Sequence, residues 1–249
     1  MRAALPTPST LHSEWIKIRS LRGTLGALVA VFAATAGIQA LTAAAIGQAE
    51  AGSLGDDPLT GAYYGLNFGQ IAAMVFGAGA LSAEFHNGAL RTSLAAVPHR
   101  TRFYLSKIVT VGALALLAGQ ITGLVTFFAG QAFMGPYALE FGDPGTYRAV
   151  VGSGLYLTLM ALFAAGLTAV LRSGTVVLSL LIPFVLLVSF VVGEAAGGAA
   201  QFLPDRAGQV VLHTQAEGDL GPWTGLGVMA LWAGAALFGG WVALRRRDA

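Results

Sequence analysis

Six stretches of this sequence carry no charged side chain, and each is long enough to cross a bilayer. They lie between Arg22 and Glu50, Asp57 and Glu84, Lys107 and Glu140, Arg148 and Arg172, Arg172 and Glu194, and Asp219 and Arg245. A helix needs about 20 predominantly apolar residues to span the hydrocarbon core. Only 10% of the 249 residues are charged and 55% are hydrophobic, where a soluble domain carries about 25% charge. The sequence therefore predicts an all-α integral membrane protein, a single transmembrane domain over 1–249. Its six transmembrane helices are expected at 24–46, 58–83, 108–134, 149–171, 175–193 and 224–244. The first apolar run exceeds the 7 to 15 residues or so of a signal-peptide core, so it is read as a span.

Positive charge sorts by side. Arg2, Lys17, Arg19 and Arg22 precede the first span, and Arg91, Arg100, Arg102 and Lys107 lie between the second and third. Arg172 separates the fourth and fifth, and Arg245, Arg246 and Arg247 follow the sixth. The alternate loops hold only Arg148 and Arg206. Basic residues mark cytoplasmic loops, which predicts both termini in the cytoplasm.

Three segments outside the spans carry further signals. Pro8-Ser9-Thr10 opens a helix at 10–22 in which Leu11, Trp15 and Ile18 share a face and Lys17 and Arg19 lie off it. That pattern suits an amphipathic helix in the membrane interface, anchored by Trp15. Residues 84–107, EFHNGALRTSLAAVPHRTRFYLSK, form a basic cytoplasmic segment. Glu84 to Ala96 is expected to prolong the second span as helix, ended by Val97-Pro98, with Lys107 snorkelling to the interface. The acidic outer loop 194–223 opens with small apolar residues that suit a re-entrant element, which protein or water must cover.

Within and beside the spans, Asp57-Pro58 reads as an N-cap and first helical position, with Tyr63 and Tyr64 at the outer interface. Gly61, Gly65, Gly69, Ala73 and Gly77 recur every four residues and form one ridge of small side chains. It is a candidate dimer face. Gln39, Asn67, Gln70, Gln120 and Gln131 are the amides of the spans. They suit either a cavity for a neutral or amphipathic substrate or bonding between helices.

Other chemistry is excluded or disfavoured. No charged residue is expected well inside a span, which argues against a proton-coupled carrier. The sequence lacks the GxxxxGK[ST] phosphate loop. His12, His86, His99 and His213 share no metal-ligand spacing, and there is no cysteine. The base is dispersed among membrane flanks, so nucleic acid is not an expected partner. No catalytic, cofactor-binding or metal residue is assigned.

Ser13 to Ser20 (SEWIKIRS), Glu84 to Gly88, Leu90-Arg91-Thr92-Ser93-Leu94 and Pro98-x-Arg100, in that order around six spans, resemble the permease subunits of ATP-binding cassette (ABC) transporters of the type-2 exporter family. The resemblance implies a non-enzymatic transport subunit that forms the substrate path in a bacterial cell membrane. Residues 11–22 would be a connecting helix with Trp15, Lys17 and Arg19 along the membrane. Glu84 to Leu94 would be a coupling helix inserted into a separate ABC ATPase subunit that binds ATP and Mg. The implied contacts are Glu84, Phe85, Gly88, Arg91, Thr92 and Arg100. A second permease copy or a homologous permease would complete the complex, with the second and fifth spans near its axis. Where the family often has Gly-Thr-Leu this chain has Gly88-Ala89-Leu90, and a second acidic residue near Glu84 is replaced by Phe85 and His86. The alternative reading is an ATPase-independent membrane protein with an immunity, sensor or scaffold role.

Overall fold

A computed structural model describes residues 5–20, 22–47, 57–188, 191, 197–214 and 219–246. Arg2, Arg247, Glu194 and Glu217 lie outside them. The described residues are helical and contain no strand. In chain order the helices are α1 (Pro8–Ser20), α2 (Arg22–Thr42), α3 (Pro58–Ala62), α4 (Leu66–Ser82), α5 (Ala89–Ala96), α6 (Arg100–Gln131), α7 (Thr146–Leu171), α8 (Gly174–Pro183), α9 (Pro204–Gln209) and α10 (Pro222–Arg246).

Five helices are long and apolar enough to cross a membrane: Arg22–Ala45, Leu66–Phe85, Arg100–Gln131, Thr146–Leu171 and Pro222–Arg246. The fifth sequence-predicted span is different. Its described part is α8 followed by a wider π turn over Phe184–Val188. Gly174–Leu187 is too short to count among the spanning helices, since at 1.5 Å per residue it covers about 21 Å of a hydrocarbon core of about 30 Å. The ladder changes immediately after Pro183, which has no N–H to donate and crowds the carbonyl four residues back.

α7 is the central helix and packs on α4, α6 and α10. Its Tyr156, Met160, Ala161 and Ala164 are fully buried. α2 packs on α4 and α6. The packing is tightest where side chains vanish. A Cβ on Gly77 would fall 1.9 Å from the carbonyl oxygen of Ala161 in α7, and one on Gly65 would fall 2.1 Å from that of Thr35 in α2. A Cβ on Gly69 would meet the Thr35 hydroxyl at 1.8 Å. The ridge read from the sequence is thus filled by this chain's own α2 and α7, and these glycines are not available to a second copy.

The second predicted span is not one helix from residue 58. α3 ends at Ala62, Tyr63–Gly65 form a turn, and α4 starts at Leu66. The Gln39 amide of α2 bridges the gap: its Nε2 donates to the Gly61 carbonyl at 3.0 Å and its Oε1 accepts from the Gly65 N–H at 3.1 Å. Tyr63, expected at the interface, is buried at 1% exposure and its hydroxyl faces the Gly123 carbonyl at 3.4 Å. Tyr64 is exposed.

At the same end of the bundle, Asp57 makes no side-chain cap to the α3 backbone. Its carboxylate instead accepts from the Thr214 N–H and hydroxyl, each at 2.9 Å, and pairs with His213 Nδ1 at 2.8 Å. Arg148, at the start of α7, donates to the carbonyls of Val211 (3.3 Å) and His213. Three segments at this end of the bundle are clasped by these two charges.

Candidate functional site

The opposite end of the bundle gathers α1, α5, the first turns of α6, the α7–α8 turn and the end of α10. Its centre is ionic. Lys107 Nζ lies 2.6 Å from Glu84 Oε1 and 2.8 Å from Glu14 Oε2, and Lys17 Nζ lies 2.9 Å from Glu14 Oε1 and 3.3 Å from Glu84 Oε1. Ser93 of α5 donates to Glu84 Oε2 at 2.8 Å and accepts from Lys17 at 3.1 Å. Two carboxylates and two ammonium groups balance. The site therefore satisfies the condition under which buried charge is tolerated, namely pairing with full hydrogen bonding.

Helix geometry explains the convergence. Glu14, Lys17 and Ile18 occupy one face of α1 by i, i+3, i+4 spacing, and Glu14 and Ile18 are buried. Trp15 and Ile16 are exposed, so Trp15 and Ile18, read as sharing one face, meet different surroundings. Arg19 is exposed beside Trp15. Burial alone would lower the pKa of Lys17, but its hydrogen bond to Glu14 and the charges of Glu14 and Glu84 outweigh that and raise it above the ordinary value.

Lys107 does not snorkel. α6 begins at Arg100, well before the expected 108, so Lys107 sits two turns inside a helix and its side chain is only 1% exposed. It is buried there because Glu14, 93 positions away, supplies a counter-charge that local reading cannot see. Glu14, the only acidic residue before Glu50, was the available signal.

α5 is a separate element. α4 runs out through a tight turn at Ala83–Phe85, His86 is extended, and Asn87 (φ 53) and Gly88 (φ 73) are left-handed before α5 starts. The expected helix from Glu84 to Ala96 is broken there, because two consecutive left-handed residues reverse the chain and only glycine adopts that conformation freely. Leu90, Ser93, Leu94 and Val97 follow i, i+3, i+4, i+7 spacing. Leu90, Leu94 and Val97 join an apolar cluster with Phe85, Phe103, Tyr104 and Leu244. Gly88, Arg91 and Thr92 are exposed on the other face, and Phe85 is half-buried under the Arg172 guanidinium, 6.0 Å from its ring.

Arg100 donates to the Leu244 carbonyl at 2.9 Å, at the C-terminal end of α10, where a cation meets the negative end of the helix dipole. Tyr104 donates to the Leu237 carbonyl at 2.9 Å and Trp241 donates to the Thr101 hydroxyl at 3.1 Å. Of the six predicted coupling residues, Gly88, Arg91 and Thr92 share the exposed face, whereas Glu84, Phe85 and Arg100 bind that face to the bundle.

The span amides do not share one cavity. Asn67 and Gln70 meet Tyr156 of α7 and Gln209 of α9: the Tyr156 hydroxyl donates to Gln70, and Gln209 Nε2 lies 3.3 Å from both Asn67 Oδ1 and the Tyr156 hydroxyl. Gln120 donates to the Val151 carbonyl at 3.1 Å. Gln39 lines a cavity of about 630 Å³ together with Gln131. Among the described residues, no group of three or more His, Cys, Asp or Glu is placed to hold a metal ion. No protein-family model and no curated protein matches this chain.

Proposed function

We propose that this chain is the membrane subunit of an ABC exporter in a bacterial plasma membrane, with both termini cytoplasmic, working with a separate ATPase that binds ATP and Mg and with a second permease copy or a homologous permease. The observation that carries the reading is α5. A short amphipathic helix lies across the basic end of the bundle, hinged at Asn87–Gly88 and seated on apolar residues from α4, α6 and α10. Through Ser93 it also touches the ionic group that joins α1, α4 and α6. A push on its exposed Arg91–Thr92 face reaches four helices by contacts that are already closed. Glu84 and Arg100 act in this scheme as positioning residues, and Gly88, Arg91 and Thr92 as the docking face.

Other features agree. Trp15 and Arg19 project from α1 towards what would be the cytoplasmic membrane interface. α9 packs beside Tyr156, about 15 Å along α7 from its outer end by helix rise, as a re-entrant cap on an export path would. A sixth crossing would be completed by 175–193, of which the described part is the short helix.

The test is purification of the tagged chain from its native membrane in mild detergent. ATP hydrolysis that follows the chain through two affinity steps is expected. Arg91→Glu and Thr92→Trp should abolish it while leaving the elution volume of the permease unchanged. An intact, correctly eluting chain that carries no ATP-hydrolysing subunit overturns the proposal.

A further inference from the structure

The 630 Å³ cavity lies between α2, α3 and the outer end of α6. Three observations define what it accepts. First, among the described residues that line it none is ionisable in the physiological range; their polar groups are the amides of Gln39 and Gln131 and the hydroxyls of Thr42, Tyr64 and Tyr137. Each amide has more donors and acceptors than its bonds to Gly61, Gly65 and Leu139 use. Second, the remaining wall is apolar, and Leu41, on its rim, is 72% exposed. The cavity therefore opens sideways, onto the apolar flank of the bundle. Third, Leu41 stands about 28 Å along α2 from Arg22 by helix rise, close to the full thickness of a hydrocarbon core. With Arg22 at the cytoplasmic boundary, the opening falls where the outer leaflet's tails meet its headgroups.

We propose that this cavity binds one uncharged amphiphile from the outer leaflet, a single-chain lipid with a polyhydroxyl head. The chain enters past Leu41 and the head bonds to the Gln39 and Gln131 amides. A volume of this size suits one medium-sized ligand. The absence of a cation among the described lining residues disfavours anionic phospholipid. The inference rests on the membrane placement proposed above and does not depend on the ATPase partner.

The test uses the full chain in nanodiscs with an alkyl glycoside carrying a diazirine in its chain. Photolabelling is expected on the peptides containing Ala43–Gly47 and Met134–Tyr137, with competition by the unlabelled glycoside. Ala45→Phe, which fills the cavity from an exposed rim position, should reduce it at least fivefold without changing the elution volume, and Gln131→Leu should reduce it also. Equal labelling by a phosphatidylglycerol probe of the same chain, or labelling spread over Val29 and Phe32 and insensitive to Ala45→Phe, overturns the proposal in favour of annular lipid. Because the chain has no cysteine, Tyr137→Cys tests the placement separately. Reaction with an impermeant maleimide on intact cells is expected, and protection from it overturns the outer-leaflet assignment whatever the photolabelling shows.

Discussion

Lys107 Nζ and Glu84 Oε1 are 2.6 Å apart, and the side chains that carry them are 1% and 5% exposed. Breaking a contact so shielded is strongly destabilising, because either partner alone leaves an uncompensated buried charge. Lys107→Met should therefore lower stability by about 3–5 kcal/mol, seen as a large fall in melting temperature in detergent. The double variant Lys107→Met with Glu84→Gln should recover part of that loss. Strict additivity of the two changes in a double-mutant cycle would show that the pair is not coupled.

The close approaches of α4 give a sharper contrast. Gly65→Ala and Gly77→Ala place a methyl group against backbone oxygens 2.1 and 1.9 Å away, so helices must separate. Overpacking of this kind costs about 1–3 kcal/mol. Gly79→Ala, two residues on and on the other side of α4 from the ridge, meets nothing within 4 Å and should leave stability unchanged or slightly raise it. Thermal melts of the three purified variants decide the matter, and the oligomeric state should be the same in all.

Gly88 separates strain from crowding. Its φ is 73 and a Cβ there meets no atom within 4 Å. Gly88→Ala should cost only the left-handed penalty, about 1–2 kcal/mol, and Gly88→Val should cost more because its branched side chain tolerates that conformation worst. Proteolysis at the exposed 86–88 turn should accelerate in the same order.

Asp57 makes the clasp with Thr214 and His213 acid-sensitive. Burial alone would raise its carboxyl pKa, but the Thr214 N–H and hydroxyl, the Thr60 hydroxyl and His213 outweigh burial and hold it below the ordinary carboxylate value. A group whose folded pKa is depressed stabilises fully above its unfolded pKa and loses that contribution as pH falls through the folded one. The melting temperature of the wild type should exceed that of Asp57→Asn by a constant margin from pH 7 down to about pH 5. The margin should close below the ordinary carboxylate range. A margin that grew on acidification would contradict the assignment.

Hydropathy made the five long helices legible, because a charge-free run of that length has few other fates. The clustering of Lys17, Arg100, Arg172 and Arg245 at one end of the bundle echoes the sorting of base along the chain. What local reading could not supply was partnership at a distance. Lys107 was read as a snorkelling end residue because Glu14 lies 93 positions earlier. The small-residue stripe was found, but its occupants, Thr35 and Ala161, belong to other helices of the same chain. The turn at Tyr63–Gly65 was invisible because the side chain that satisfies it belongs to α2. The break at Asn87–Gly88 had a sequence signal, an Asn-Gly pair, which the helical pattern of the surrounding residues masked.

The Gln39 amide, bonded to Gly61 on one side of the α3–α4 gap and Gly65 on the other, has a consequence for biogenesis. Until that side chain arrives, a carbonyl and an N–H at the edge of the second crossing have no helical partner, and lipid offers none, at a cost of several kcal/mol for each group. Pairing with α2 removes that cost, so the expected first step of assembly is insertion of these two helices as a hairpin rather than of either one singly.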